Sequence, residues 1–202
     1  MKRAPVVAMA SGQGTLFQAL LDASSRPDYP VQLVGLVTDQ PGCPAQERAV
    51  KADVPVVALD PKQYRSRASW NQELAAETAK LAPDWLVSVG FMRVLAPAFL
   101  DQFPGRIINS HPSLLPAFPG ARAVPDAIDY GVRMTGCTIH LVDAGVDSGP
   151  ILAQTAVPVA PDDDVESLHD RIKAIERIQL VEVLAQLVTT GYSLEGRKAA
   201  LP

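Results

Sequence analysis

Short apolar runs alternate along the chain with longer segments in which apolar residues recur every three or four positions. The runs at residues 6–10, 33–38, 56–58, 86–90 and 106–109 have the length and continuity of strands buried on both faces. Between them, Leu16, Phe17, Ala19, Leu20 and Ala23 fall on one helical stripe, and residues 44–52 open on Pro44, where a helix can start. Residues 68–81 carry Trp70, Leu74, Ala75, Thr78 and Leu81 at helical spacing. Strand and helix in alternation predict parallel strands joined by crossover helices.

The rhythm changes after residue 110. Prolines at 112, 116, 119 and 125 interrupt any regular element and predict a stiff surface loop over 110–125, followed by a short helix near 126–130. Runs at 134–142 and 151–159 flank a glycine-bearing loop at 143–150 that is too short for a crossover helix, so these two strands should pair antiparallel. A last helix is predicted after Pro161, with Asp162, Asp163 and Asp164 at its positive end and Ile172, Ile175, Ile178, Leu184 and Leu187 on its buried side. Together these elements predict an α/β fold. It would be a single Rossmann-like, open, mostly parallel sheet with helices on both faces and a late antiparallel strand pair.

The 202 residues amount to one domain's worth of chain, residues 1–202. An apolar fraction of 48% against 20% charged excludes wholesale disorder. Lys and Arg number 18 and Asp and Glu 22, a net charge of −4 with the basic residues dispersed, so bulk nucleic acid is excluded as an expected partner. Cys43 and Cys137 stand alone, which gives neither a disulfide framework nor a cysteine zinc site, and no His/Asp/Glu spacing suggests a metal. The first apolar run is stopped by Ser11-Gly12, and no run approaches the ~18 residues a membrane span needs. The expected setting is reducing and cytoplasmic, with no membrane.

Candidate chemistry gathers at the ends of the predicted strands, where open parallel sheets place their ligands. Ser11-Gly12-Gln13-Gly14-Thr15 follows the first strand and opens the first helix, so its backbone N–H groups suit a monophosphate; a plain tight turn is the alternative. Phe17 stands where a dinucleotide fingerprint needs its third glycine, which argues against reading Asp39 as a ribose-binding acid. Asn109-Ser110-His111-Pro112 leaves the fifth strand, and an amide and an imidazole two residues apart on an extended segment can point to the same side. The alternative is a capping asparagine and a turn histidine. Asp147, between Gly145 and Gly149, is either a turn former or a partner that would raise the pKa of His111 and fix its tautomer. Ser110, Ser113 and Ser148 lack a nucleophile elbow, and Cys43 and Cys137 look inert. His140 reads as a satisfied strand histidine and His169 as a solvated helix residue. Phe91-Met92-Arg93-Val94-Leu95 combines adaptable apolar groups with one cation, suited to a flat aromatic ligand or to core packing. Glu176, four residues after Ile172 on the last helix, either edges into the ligand cleft or pairs with Lys173, Arg177 or solvent, and solvent is the default.

Ser11 to Thr15, Gly90 to Leu95, Asn109-Ser110-His111-Pro112-Ser113-Leu114-Leu115-Pro116 and Asp143 to Pro150, in that order, resemble the phosphoribosylglycinamide formyltransferases, a family of folate-dependent formyl-transferring enzymes. The resemblance spans residues from about 5 to about 190. It implies transfer of the formyl group of 10-formyltetrahydrofolate to the amine of glycinamide ribonucleotide in purine synthesis, without a metal. Asn109, His111 and Asp147 match the family's catalytic asparagine, histidine and aspartate. Gly14, Thr15 and the Leu16 position match the phosphate contacts, although many relatives carry asparagine at the latter, and Glu176 matches a substrate-contacting glutamate. Met92, Val94 and Leu95 match the pterin pocket, Arg67 and Arg93 the basic residues on the folate side, and Asn109 also faces the folate. Arg122 in the proline loop could add charge for the phosphate. The partners implied are these two small molecules; self-association into a homodimer is left open.

Three relatives of that chemistry are less well matched. A formyl-folate hydrolase with the same Asn-His-Asp set carries an amino-terminal regulatory module, and the first predicted strand already begins at Val6. A methionyl-tRNA formyltransferase adds a carboxy-terminal barrel, whereas only residues 191–202 follow the last predicted helix. A sugar-nucleotide formyltransferase would likewise run longer. A non-catalytic nucleotide-binding module would explain the glycine loop but not the coincidence of Asn109, His111 and Asp147.

Overall fold

The computed structural model describes residues 2–202. In chain order they form β1 (Ala4–Met9), α1 (Thr15–Ser24), β2 (Val31–Thr38), α2 (Pro44–Lys51), β3 (Val56–Ala58), α3 (Arg67–Lys80), β4 (Trp85–Ser88), α4 (Pro97–Leu100) and β5 (Ile107–His111). There follow α5 (Ala123–Tyr130), β6 (Met134–Leu141), β7 (Ile151–Pro158), α6 (Val165–Thr190), β8 (Ser193–Glu195) and β9 (Lys198–Ala200). The main sheet has the strand order β3-β2-β1-β4-β5-β6-β7, and β8 and β9 form a separate hairpin. Two compact units divide the chain, one up to Ile108 and one from Asn109 to Pro202.

In the unit up to Ile108, β1 pairs parallel with β2 and β4, and β2 pairs parallel with β3. Val6, Val7, Ala8 and Met9 are buried without gap, as a strand covered on both faces requires. Phe17 and Leu20 of α1, Trp70 and Leu74 of α3, and Phe99 of α4 are buried too, each large side chain contributing about 1.5–3 kcal/mol. On α1 the buried face is Phe17, Leu20, Leu21 and Ala23; Leu16 and Ala19, expected on that stripe, are only half-buried. The helix turns so that consecutive Leu20 and Leu21 both reach the core. α3 starts on a capping box of Ser66 and Ser69, one residue earlier than its apolar spacing suggests.

In the unit from Asn109, β6 pairs antiparallel with β7, as the short connection predicts. Val124, Cys137, Val157, Leu168 and Ile172 form a core cluster in which α5 and α6 meet these strands. α5 begins at Ala123, inside the stretch expected to be loop. Pro125 lies in its first turn, where the missing N–H has no partner to lose. α6 opens on a capping box of Asp164 and Ser167. Its buried face is Leu168, Ile172, Glu176, Gln179, Leu180, Val183, Leu184 and Leu187. Ile178 is 58% exposed and Ile175 half-buried, contrary to expectation, because the helical phase set by Ile172 and Leu187 carries Ile178 to the outer side.

Candidate active site

β5 extends two residues beyond its predicted end, and this makes Asn109, Ser110 and His111 strand residues with alternating directions. Asn109 and His111 both reach Asp147. The Asn109 amide nitrogen donates to Asp147 Oδ1 at 3.3 Å, and His111 Nδ1 lies 3.3 Å from Asp147 Oδ2. Ser110 points the other way and donates to Glu176 Oε1 at 2.6 Å. The alternation therefore separates an imidazole-carboxylate cluster from a buried hydroxyl-carboxyl pair.

Asp147 sits on the loop after β6 with φ of 50°, a left-handed conformation that aspartate tolerates better than most residues. Gly120 N–H donates to its Oδ2 at 2.7 Å. The loop closes on itself through Asp143 Oδ1, which accepts from Gly145 N–H at 3.0 Å and Ser148 Oγ at 2.7 Å. Gly149 is required by close approach: a Cβ there would lie 1.7 Å from the Leu141 carbonyl oxygen.

His140, read from its strand alternation as a merely satisfied histidine, belongs to the cluster. The Leu141 carbonyl accepts from Nδ1 at 2.8 Å, which leaves Nε2 to accept from the Asn109 amide at 3.2 Å. A register shift in β6 between Ile139 and His140 re-aims this ring. Thr138 holds the start of the proline loop, donating to the Ser113 carbonyl at 2.7 Å and accepting from Leu115 N–H at 3.1 Å.

The charge states follow from these partners. Burial would raise the Asp147 carboxyl, but the His140 ring, the Gly120 N–H and the His111 ring outweigh it and hold the group below its ordinary value. Burial pushes the His111 ring below its ordinary value, against the upward pull of the Phe118 carbonyl and Asp147. The expected net rise from Asp147 is thus reversed by desolvation, and the resting ring is neutral near pH 7. The Phe118 carbonyl, 2.8 Å from Nε2, can only accept, so the proton sits on Nε2 and the Nδ1 lone pair faces Asp147. A proton arriving at Nδ1 is held between ring and carboxylate.

Glu176 is 3% exposed, not solvent-facing, and burial pushes its carboxyl up to about 7 despite the Ser110 hydroxyl. Ser113 donates to the Ala117 carbonyl at 2.6 Å. The partner of Ser113 is thus a backbone carbonyl, and the base in reach of Ser110 is the Glu176 carboxyl, buried with it on the side of β5 away from Asn109 and His111. The buried Cys137 thiol is pushed up to about 12 by burial, and buried Cys43 lies 3.4 Å from the Thr38 hydroxyl. Arg122 spends its charge on Asp126 and Asp129 of its own helix.

In the unit up to Ile108, Gly14 has φ of 67° and heads α1; a Cβ there would lie 2.7 Å from Ala45 Cβ, so only glycine fits. Thr15 and Leu16 begin the helix behind it, where backbone N–H groups have no intrahelical partner. Gln13 is steadied by Arg48, whose Nε donates to its carbonyl at 2.9 Å. Among the residues after β4, Met92 and Val94 are exposed while Phe91 and Leu95 are buried. Arg67 donates to the Val94 carbonyl at 2.9 Å and lies over the Trp70 ring at 4.5 Å. Arg93 donates through Nε to Asp39 Oδ2 at 2.7 Å. Among the described residues no group of three or more His, Cys, Asp and Glu could hold a metal ion, and no helix is long and apolar enough to cross a membrane.

Comparison with known proteins places these residues in context. The formyl transferase family model matches residues 4–184. Phosphoribosylglycinamide formyltransferase of Mycobacterium tuberculosis is 50% identical over 198 residues, covering 98% of this chain and 91% of that protein. The Bacillus subtilis protein of the same name is 36% identical over 190 residues, 94% of this chain and 96% of its own. Glycinamide ribonucleotide transformylase 1 from Symbiobacterium toebii superposes with a TM-score of 0.95 at 38% identity, covering 98% of this chain and 94% of that one.

Proposed function

The chain belongs to the formyl transferase family, and from that premise we propose that residues 1–202 act as one phosphoribosylglycinamide formyltransferase domain. It passes the formyl group of 10-formyltetrahydrofolate to the amine of glycinamide ribonucleotide in purine biosynthesis. The observation that carries this reading is the meeting of Asn109, His111 and Asp147, from two separate stretches of sequence, on one carboxylate.

The amine attacks the formyl carbon directly. Its nitrogen forms the new C–N bond, the carbonyl electrons move to oxygen, and the folate nitrogen leaves with a proton. The amide of Asn109 stabilises the oxyanion; a well-placed donor of this kind contributes about 3 kcal/mol. The resting contacts of that amide, 3.2 and 3.3 Å, are long enough to be exchanged for substrate. Neutral His111 accepts the amine proton, the resulting cation is held by Asp147, and the proton then passes to the leaving nitrogen. Commitment of the Ser110 and Ser113 hydroxyls elsewhere supports a route without an acyl-enzyme.

Gly14, Thr15 and Leu16 take the nucleotide phosphate at the head of α1, with backbone donors replacing the side-chain amide that many relatives use. Glu176, a buried carboxyl whose hydrogen-bond partner is the Ser110 hydroxyl, contacts the nucleotide. Arg67, Met92, Arg93, Val94, Leu95 and Asn109 hold the folate. Formyl-folate turnover measured with glycinamide ribonucleotide, with water alone and with a sugar-nucleotide amine tests the assignment. Release that depends on the first acceptor is the expected result; equal release in water alone would make the protein a hydrolase instead.

A further inference from the structure

Asp39 is 1% exposed, yet its carboxylate is the meeting point of three chain segments within one unit. It stands one residue past β2. Ser11, two residues past β1, donates its hydroxyl to Oδ1, and Arg93, from the stretch after β4, donates Nε to Oδ2. Gln40 adds a longer contact to Oδ2 at 3.4 Å. Because the Ser11 proton goes to Asp39, its oxygen is free to accept from Met92 N–H, which it does at 2.9 Å. Ser11 N–H in turn donates to the Gly90 carbonyl at 3.0 Å. The glycine loop is therefore tied to residues 90–93 twice through Ser11 and once more through the Asp39–Arg93 pair. Arg67 fixes the far end of the same stretch at the Val94 carbonyl.

We propose that Asp39 is a positioning residue that couples the glycine loop to the 90–95 segment, so that the two substrate contacts of this unit are set by one buried carboxylate. This rests on the assignment of those segments to nucleotide phosphate and folate. The physical case is the cost of the alternative. A carboxylate this buried is tolerated because a guanidinium and a hydroxyl satisfy it, and withdrawing it would leave Arg93 and Ser11 without their shared acceptor. Asp39 touches neither ligand in this proposal; it acts through Ser11 and Arg93.

Two substitutions separate the ties. Asp39→Asn keeps an acceptor for Ser11 but loses the charge that holds Arg93, while Asp39→Ala loses both. In Asp39→Asn the KM for formyl folate should rise about tenfold with the nucleotide KM nearly unchanged, and in Asp39→Ala both should rise about tenfold, with kcat at saturation within about threefold of the parent. A fall in kcat or melting temperature with both KM values unchanged would reduce Asp39 to a structural part and overturn the proposal. Amide hydrogen exchange without any substrate supplies the second measurement. Asp39→Ala should speed exchange at Ser11 and Met92 together, and Asp39→Asn should leave Met92 protected. Protection unchanged in Asp39→Ala, or lost at one of the two amides alone, would also overturn it. If the parent protein fails to use glycinamide ribonucleotide, the functional assignment falls while the exchange experiment still decides the coupling.

Discussion

Two carboxylates organise the two units, and they differ in the kind of positive charge they keep. Asp39 is paired with a guanidinium, a permanent cation, and is sealed from water. Asp147 is partly exposed and faces two imidazoles, His111 and His140, whose charge is conditional. Both carboxyls are held below their ordinary value. The first arrangement fixes geometry and has no proton to exchange near neutral pH; the second can accept a cation that appears only during a reaction. Glu176 is a third case, a buried carboxyl with a hydroxyl as its hydrogen-bond partner, and it is pushed up to about 7. Partner chemistry, more than burial alone, decides what each acid can do.

The sharpest test of the contrast is to remove the conditional charge. Asp147→Asn keeps the left-handed backbone, which asparagine tolerates, and should lower kcat by about 10³-fold or more with substrate dissociation constants within a few-fold. His111→Asn should behave alike. Loss of binding with intact turnover in either variant would reverse the roles. The Asp39 variants should show the opposite split, in KM, so a kcat-dominated loss at Asp39 would erase the distinction between the two acids.

Titration gives the next largest effects. Because Asp147 pulls the His111 value upward, Asp147→Asn should move the ring's NMR titration to lower pH; an upward move would contradict the assigned contact. Glu176 makes a stability prediction. The native state keeps its proton up to about 7 while the unfolded chain loses it in the ordinary carboxyl range, so the native state binds more protons between those limits. Stability should therefore fall as pH rises through that window and level off above it. Glu176→Gln should remove the slope, gaining at most about 3 kcal/mol at pH 8 relative to pH 5, as read by urea midpoints at both values.

The smallest effects belong to the serines. Ser113→Ala and Ser110→Ala should each keep activity within about tenfold, the cost of one hydrogen bond. A trapped acyl-enzyme on either serine would end the direct-attack mechanism.

Much of this was legible before any coordinates. The alternation of runs located the parallel strands, and the spacing of Asn109 and His111 on an extended segment already set their common side. His140 was missed because its neighbours, Ile139 and Leu141, make it look like one position of an ordinary buried strand; its role depends on a register shift and on Asp147, seven residues on. Ser11 carried no signal as a side chain within a glycine loop. Ile178, Leu16 and Ala19 were misplaced because spacing defines a stripe but not the rotation of a helix against its neighbours.

Local order, such as element type, strand parity and the acidic start of α6, follows from backbone sterics, from the helix dipole and from periods of two and 3.6 residues, which sequence carries openly. Charge state does not. The neutral resting ring of His111, the ion pair of Arg93 with Asp39 and the protonatable Glu176 arise from desolvation and from partners distant along the chain, and those energies exist only once the chain has brought the groups together and excluded water.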